Sequence, residues 1–317
     1  MKPNILIATQ ISEGKEYCLR FIRDELKKLA ASDGVSGVLC TIVDNAKVEV
    51  DEFRKSLDLG DSVVVEKLDL DGRAFAGKPS PTRIGTVREH QRQKFLRSKT
   101  NYSHLYFHDC DIIHPDPSEV IPKLLSMDTH IAANAYCMRS FEYPIFVVLT
   151  EDPGEDVYGR WGETVSKPVK HNGLMEVRGC GMGSMLISRK ALETVAFRTD
   201  YDGVDTSWYG EDFDFCIEVN DKLHSPPKVR FIGGVWHVSE NGYAGRITLG
   251  DECEQVRNAQ STPVTNKWGA WLPGVWRITE PMMRELLGPG FEYSTGRRLI
   301  LETEKVDDLC QKLELSQ

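Results

Sequence analysis

Two carboxylates separated by a single residue are the strongest candidates for chemistry in this 317-residue sequence. Asp109 and Asp111 directly follow an apolar run at 103–108 that has the pattern of a buried strand. In open parallel sheets, ligands collect outside the carboxyl ends of the strands. Magnesium and manganese prefer oxygen ligands, and a magnesium ion is often held by one or two carboxylates together with substrate phosphates. The pair is therefore predicted to hold a divalent cation against a diphosphate. The same spacing at 69/71, 200/202 and 212/214 is simply explained by solvated surface.

A second acidic pair, Glu211 and Asp212, lies at the predicted start of a helix. Capping of that helix is the simple explanation, because acids in a first turn interact favourably with the helix dipole. The upstream run 179–183 carries three alternating glycines, with Gly181 at its centre, and glycine lets backbone approach a ligand closely. A general base has to lie near the hydroxyl that it deprotonates. The two acids are therefore candidates for that function as well as for capping.

Histidines add a third group of candidates. His237 follows an apolar strand, where a structural or surface role is common, but a neutral imidazole is also a frequent metal ligand. His108 and His114 flank the Asp109/Asp111 pair, and neither is favoured as a ligand. Of the three, His237 is the candidate that we carry forward.

These residues need a scaffold, and the hydrophobic pattern predicts a mostly parallel α/β sheet flanked by helices. Apolar runs alternate with amphipathic segments, as expected for βαβ units. A Gly- and Pro-containing stretch at 72–85 is predicted to be a loop, and 151–175 to be loops or a hairpin. A basic helix at 86–99 is interpreted as a solvated face rather than a nucleic-acid contact. Strands are predicted at 4–9, 38–44, 62–68, 103–108, 131–138, 184–187 and 229–232, and helices at 13–32, 47–57, 86–99, 116–127, 188–193 and from 208.

Composition limits the classes of function. The chain has 39 Lys and Arg against 48 Asp and Glu, a net charge of -9, which excludes a surface that grips nucleic acid broadly. A local basic groove remains open. The share of hydrophobic residues, 40%, is that of an ordinary globular protein with one large domain or two.

The cysteine pattern bears on compartment and on metal sites. None of the eight cysteines forms a CxxC pair, which argues against a structural zinc site or a thioredoxin motif. Most lie in apolar runs, as buried free thiols do, and this favours a reducing compartment. The N-terminal apolar run is too short for a secretory signal, and no run approaches the length of a membrane span. We therefore expect a cytoplasmic protein without a membrane span.

The order of these motifs resembles that of GT-A fold glycosyltransferases, especially the family-2-like group. The resemblance covers residues 4–240. It rests on the segments His108–Pro115, Gly179–Arg189, Tyr209–Cys216 and Trp236–His237. It implies a Rossmann-like GT-A sheet that binds a nucleotide diphosphate sugar.

The resemblance also implies roles for the acids. Asp111 is the more direct metal ligand, with Asp109 nearer the ribose or the sugar, and His237 is the C-terminal metal-binding histidine. Asp212 stands where inverting members have the base that deprotonates the acceptor. Glu211 would contact the acceptor or the donor sugar.

Nucleotide contacts are implied for a further set of residues. Thr9 resembles a position that lines the nucleotide pocket, and Asp44 one that contacts the nucleobase. Arg88 would meet the nucleobase or the diphosphate, with Arg83 an equally placed candidate, and Gly181 is counted among the donor-binding residues. The sequence departs from the family in reading Val43-Asp44-Asn45-Ala46 after the second strand and Arg88-Glu89 on the following helix.

These expectations combine into one function. The chain is predicted to be a metal-dependent, hexosyltransferase-type enzyme that uses Mn²⁺ or Mg²⁺ and a nucleotide diphosphate sugar, with a UDP-sugar favoured. It would move the sugar to an acceptor hydroxyl with inversion. The acceptor stays open among a glycan, a protein, a small molecule and a modified nucleic acid base. A nucleotidyltransferase that makes a nucleotide sugar, and a non-catalytic nucleotide- or carbohydrate-binding protein, are the alternatives.

The predicted domain organisation follows the motifs. Residues 1–245 form the GT-A domain, with a nucleotide-sugar-binding half at 1–111 and an acceptor half at 112–245. Residues 246–317 form a C-terminal extension, which contains three tryptophans that could stack on a sugar or pack the tail, and a helical pattern at 302–315.

Overall fold

The computed structural model describes most of the chain from residue 3 to residue 238 and a few later segments. The described ranges are 3–44, 46–70, 80–136, 148–149, 174–199, 210–230, 235–238, 244–246, 292–294 and 298–300. Most of the predicted loop region 151–175, the tail tryptophans and the helical pattern at 302–315 lie outside them.

Fifteen strands occur in the described ranges. They are β1 (Ile5–Ile11), β2 (Val35–Val43), β3 (Val63–Leu68), β4 (His104–Asp109), β5 (Ile112–Ile113), β6 (Ile131–Asn134), β7 (Val148–Leu149), β8 (Leu174–Glu176), β9 (Gly179–Cys180), β10 (Ser184–Ser188), β11 (Lys228–Arg230), β12 (Trp236–Val238), β13 (Ala244–Arg246), β14 (Glu292–Ser294) and β15 (Arg298–Ile300).

Six α-helices and two short 3₁₀ helices accompany these strands in the same ranges. The α-helices are α1 (Ile22–Ala30), α2 (Val50–Leu57), α3 (Ser80–Arg97), α4 (Pro117–Leu125), α5 (Arg189–Thr194) and α6 (Glu211–Leu223), and the 3₁₀ helices are Glu16–Arg20 and Gly60–Ser62. None of the described helices is long and apolar enough to cross a membrane.

Eight strands form the central sheet in the order β3-β2-β1-β4-β10-β6-β11-β8. All but β10 and β8 run in the same direction, because only the pairs that involve these two strands are antiparallel. The sheet is therefore mixed but mostly parallel. This confirms the predicted α/β class, a mixed and mostly parallel sheet flanked by helices.

Smaller pairings complete the fold. β5, β12 and β13 form a three-stranded antiparallel sheet, β7 pairs with β9, and β14 pairs with β15. The pairing of β12 with β5 sets β12 beside Asp111, because β5 begins at the next residue, Ile112.

The core is split by the sheet into two apolar layers. One layer joins Tyr106 of β4 to the apolar stripes of α1, α2 and α4. The other joins Leu105 and Phe107, the alternate residues of the same strand, to side chains of α3, α5 and α6. Because successive side chains of a strand point to opposite faces, neighbouring residues at the end of β4 also face different layers.

Two expectations from the sequence were wrong in detail. The predicted loop at 72–85 gives way to helix at Ser80, since a proline at position 81 is tolerated in the first turn of a helix. The basic helix is also not a wholly solvated face. Arg88 and Arg92 are buried, and the guanidinium of Arg92 donates to the carbonyl of Leu192 at 2.6 Å. Lys94 agrees with the prediction, because its side chain is half exposed and forms an ion pair with the carboxylate of Glu66.

Candidate active site

A cleft of about 480 Å³ lies at the carboxyl ends of the central parallel strands. β1 pairs in parallel with both β2 and β4, so the residues that follow these three strands meet at one edge of the sheet. The charged and titratable residues that line the cleft come from the β1 loop, α3, the end of β4 with the turn after it, and β12, and are Glu13, Lys15, Arg83, Arg88, Asp109, Asp111 and His237. The cleft thus unites motifs that are far apart in the sequence.

Asp111 is the most enclosed acid of the cleft, with only 3% of its surface exposed. The ammonium group of Lys15 forms an ion pair with its carboxylate. His237 Nε2 lies 3.4 Å from Asp111 Oδ2, because the antiparallel pairing of β12 with β5 sets His237 opposite Ile112. The ring of Tyr136 meets His237 edge-on, with 5.3 Å between ring centroids, and fixes the imidazole from the other side.

Asp109 is joined to the second acid motif through a buried arginine. Nη2 of Arg88 lies 3.3 Å from Asp109 Oδ1, and its Nη1 donates to Glu211 Oε1 at 2.5 Å. The backbone N–H of Asp109 donates to the carbonyl of Gly183, which anchors the end of β4 to the start of β10. Arg88 therefore holds together one acid from β4 and one from the first turn of α6.

Burial and charge act together on the acids at the start of α6. Burial raises the pKa of Glu211 to about 8, although the Arg88 guanidinium opposes the rise. Burial also raises the pKa of Asp212, again against Arg88, and the Asp109 carboxylate adds to the rise. Burial alone would lower the pKa of Arg88, but the charges of Glu211 and Asp109 raise it, so the guanidinium keeps its charge. Such an environment makes each carboxyl a stronger base than a solvated one.

Asp44 closes the cleft on the side of β2. It has a positive φ of 53°, in the left-handed region, which turns the chain sharply after the strand. Its Oδ1 accepts a hydrogen bond of 2.9 Å from the backbone N–H of Leu70, and its other oxygen pairs with Arg83. Leu70 and Arg83 both line the cleft, so this corner offers a carboxylate and a guanidinium at the end of β2.

Five predicted site residues are not among those that line the cleft, namely Thr9, Asp44, Gly181, Glu211 and Asp212. Thr9 is buried within β1, and its neighbour Gln10 is the residue that lines the cleft. Gly181 is buried in the turn between β9 and β10 and is not among the cleft-lining residues. The flanking Gly179 is required by packing, because a Cβ there would lie 2.7 Å from the Phe213 ring. The glycine run therefore makes room for protein side chains.

Lys15, which lines the cleft, and Tyr136, which contacts the ring of His237, were not among the predicted site residues. Lys15 follows Gly14, which has a φ of +80°, so the β1 loop turns tightly and brings the lysine back to β4. A Gly-Lys pair just after a first strand was the available signal. Tyr136 accepts a hydrogen bond from the N–H of Gly183 at 3.1 Å, a contact between residues 47 positions apart that no local pattern reveals.

The residues present fit a divalent cation. Asp109 and Asp111 contribute carboxylate oxygens, and His237 adds an imidazole nitrogen beside Asp111. Carboxylates suit magnesium and manganese, and an imidazole adds affinity for transition metals. A second, separate group of metal-ligating side chains, Glu25, His108 and His114, lies buried elsewhere in the described structure.

Comparisons with known proteins give no family. No protein-family model and no curated protein matches the sequence. Among solved structures, the fold is similar to a mycobacterial protein, with 12% identity, a TM-score of 0.43, and coverage of 81% of this chain and 72% of that one. It is also similar to 4-diphosphocytidyl-2C-methyl-D-erythritol synthase from Anaerococcus prevotii, with 9% identity, a TM-score of 0.37, and coverage of 73% and 86%.

A third similarity is to TarS of S. aureus, with 10% identity and a TM-score of 0.39. It covers 72% of this chain and 35% of TarS, so this chain spans about a third of that protein. Identities and TM-scores this low carry no argument about function. The function is therefore inferred from the geometry of the cleft alone.

Proposed function

We propose that this protein is a metal-dependent glycosyltransferase that moves a sugar from a nucleotide diphosphate sugar to an acceptor hydroxyl with inversion. A single observation carries the proposal. Arg88 joins Asp109, at the end of β4, to Glu211 in the first turn of α6. Arg88 and Glu211 are 123 positions apart in the sequence. Two acid motifs thus meet beside one cleft, as a reaction with a donor site and an acceptor base requires.

The donor is held by the β1, β2 and β4 side of the cleft. Asp44 and Arg83 would contact the nucleobase, and Lys15 would face the diphosphate. Asp109 and Asp111, with His237, would hold the divalent cation. When bound, a manganese or magnesium ion neutralises charge that develops on the departing nucleoside diphosphate. A UDP-sugar is the favoured donor class.

Asp212 is the proposed base. Its raised pKa, caused mainly by burial, improves its ability to take a proton from the acceptor hydroxyl as that oxygen attacks the anomeric carbon. Glu211 is held by Arg88 and would contact the acceptor or the donor sugar. Because Arg88 contacts both Asp109 and Glu211, it would hold the two acid motifs close together as well as supply a positive charge.

The proposal is tested first with Asp212→Asn. We expect this variant to lose transfer, because it has no group to accept the proton, and to keep donor affinity. Binding is measured by a thermal-shift screen of UDP-, GDP-, CDP- and dTDP-sugars with and without Mn²⁺, since a ligand of the folded state raises apparent stability. Transfer is measured with the donor that the screen identifies.

Asp221→Asn is the matched control, because Asp221 lies on the same helix with a half-exposed carboxylate near Arg178. It should leave both readouts unchanged. If Asp212→Asn lost donor affinity together with transfer, Asp212 would belong to the donor site. If no donor stabilised the wild-type protein, the reading as a non-catalytic binding protein for other ligands would replace the proposal.

Nucleotidyl transfer is the second candidate, and one observation favours it. Lys15, in the loop after β1, pairs with Asp111 inside the cleft. A basic residue in that loop suits a reaction that releases pyrophosphate from a nucleoside triphosphate. Product analysis separates the two reactions, since release of a nucleoside diphosphate supports glycosyl transfer and release of pyrophosphate supports nucleotidyl transfer.

The proposal locates this activity in the cytoplasm. Five cysteines of the described ranges are free thiols in buried positions, including Cys18, Cys40 and Cys110. Burial raises the pKa of the Cys40 thiol to about 12, which makes it unreactive. Thiols of this kind are compatible with a reducing compartment.

A further inference from the structure

A buried group of one carboxylate and two imidazoles lies on the face of the central sheet opposite Asp109. Glu25 comes from α1, His108 from β4, and His114 from the segment after β5. The three residues are between 1% and 4% exposed. Their ligating atoms lie within 4.8 Å of one another, with Glu25 Oε1 2.7 Å from His114 Nδ1 and 3.6 Å from His108 Nε2. Three ligating atoms this close together can bind a single metal ion.

His108 supplies the independent observation. Both of its ring nitrogens are buried, and neither has a hydrogen-bond partner among the residues that the structure describes. A buried polar group without a partner destabilises the folded state. Coordination of a metal ion by one of the nitrogens would remove that nitrogen's share of the cost. His108 Nε2 is directed toward the Glu25 carboxylate, so it is placed for that bond.

The surroundings orient the second imidazole in the same way. His114 Nε2 lies 2.8 Å from Ser184 Oγ, which leaves Nδ1 to face Glu25. Ser184 Oγ is itself held by Asn134 Nδ2 at 3.0 Å and by the Tyr106 hydroxyl at 2.9 Å. Metal-binding histidines commonly use the second ring nitrogen for such a contact, which fixes the ring and its tautomer.

We propose that Glu25, His108 and His114 bind a structural zinc ion. Two imidazoles and one carboxylate form a known zinc ligand set, in which the fourth tetrahedral position is taken by a water. The cleft-lining residues do not include any of the three, so the ion would be enclosed and would bind as the chain folds. A water would complete the four ligands.

The ion would connect this site to the cleft. It would tie α1 to β4 and to the segment that begins at Asp111, since His114 lies three residues after that acid. Asp111 would then owe its position partly to a metal ion that takes no part in the reaction. The proposal does not depend on the reaction assigned to the cleft.

The test is the metal content of the full chain, refolded in the presence of zinc and dialysed against a chelator that strips exposed sites. Elemental analysis should find about one zinc ion per chain. X-ray absorption at the zinc edge should show two imidazoles at about 2.0–2.1 Å and no sulfur. This measurement uses the wild-type protein, so it does not depend on whether any variant folds.

Substitution then assigns the ligands. His108→Gln and His114→Gln should each remove most of the bound zinc and lower the unfolding temperature. His104→Gln is the matched control, because His104 lies at the other end of the same strand and contacts Ser103. It should keep the zinc.

Three results would overturn the proposal. These are a wild-type chain without zinc after refolding, a zinc spectrum that shows sulfur or a single imidazole, and zinc that stays bound in both ligand variants. Sulfur would indicate cysteine ligands, and a single imidazole would indicate the Asp111 and His237 site.

Discussion

His108 and Asp109 are neighbours in the sequence, yet they serve two regions with opposite physical character. Asp109 faces the cleft, where carboxylates are balanced by Lys15, Arg83 and Arg88 at the edge of an open space. His108 faces a closed group in which Glu25, His114 and Ser184 satisfy one another. Both regions bury charge, and both have partners for it, because an unpaired charge is costly away from water.

The two regions differ in whether space for a ligand remains and in whether every polar group has a partner. In the cleft, cationic side chains hold the acids while an opening remains for a ligand. None of the three residues of the closed group lines the cleft, and the two imidazole nitrogens of His108 have no hydrogen-bond partner among the described residues. A change in the cleft should therefore alter ligand affinity and turnover, whereas a change in the closed group should alter stability.

Among the changes that compare these two regions, Asp111→Asn should have the largest effect. Removal of one carboxylate from the cation site should lower turnover about 100- to 1000-fold, since metal stabilisation of a developing charge is worth several kcal/mol. Steady-state kinetics at saturating Mn²⁺ measures the loss. Asp61→Asn, in the exposed turn before β3, is the control and should retain full turnover. Equal turnover in the Asp111 variant would remove this acid from the reaction.

Ser184→Ala should have the next largest effect, and on stability. The change leaves His114, Asn134 and Tyr106 each short of a buried hydrogen bond, at a total cost of about 2–3 kcal/mol in the free energy of unfolding. Urea denaturation measures it. Ser126→Ala, an exposed serine at the end of α4, should stay within about 0.5 kcal/mol of wild type. A similarly small loss for Ser184→Ala would show that the closed group contributes little to folding.

Lys15→Met should weaken binding of a nucleoside diphosphate about tenfold, which corresponds to about 1.4 kcal/mol. Under the proposed function, the variant loses one positive charge, now paired with Asp111 in the cleft, that would face the diphosphate. Isothermal titration calorimetry provides the measurement, with Lys55→Met on the exposed side of α2 as control. Unchanged affinity would mean that Lys15 serves only to hold Asp111.

The smallest effect is a change in the pH dependence of stability. The pKa of Glu211 is about 8 in the folded state, against an ordinary value of 4.5. Between these two pH values the folded chain therefore holds one more proton than the unfolded chain. Stability should therefore fall as the pH rises through this window, and Glu211→Gln should remove that part of the slope. Thermal unfolding between about pH 5 and pH 8 tests it. Glu218→Gln, half-exposed on the same helix, should keep the wild-type slope.

The fold was predictable because the main strands and helices each have a hydrophobic pattern within their own few residues. The apolar runs at 4–9, 38–44 and 62–68 correspond to β1, β2 and β3, and the motif order led to the mostly parallel sheet. Boundaries were less predictable, as at Ser80, where the helix begins inside the predicted loop. Helix ends depend on capping and packing contacts that a local pattern only partly encodes.

The candidate site was predictable in part. The sequence singled out Asp109 and Asp111, and the structure sets them at one cleft with His237. It did not single out Lys15, and it favoured neither His108 nor His114. Glu25 lies on the apolar stripe of α1, with Ile22, Leu26 and Leu29. An acid at such a position is a signal of a buried partner, and it could have been found. The absence of CxxC pairs, which argued against structural zinc, says nothing about a site made of histidines and a carboxylate.

The sequence by itself determined seven of the eight strands of the central sheet, the α-helices and the acids beside them, because hydrophobic period and residue type act over a few neighbouring positions. Only the tertiary structure decided which acids share a cleft, that Arg88 joins two of them, and that His108 turns away from Asp109. Those outcomes depend on burial and on contacts between residues up to 123 positions apart, which exist only once the sheet has assembled.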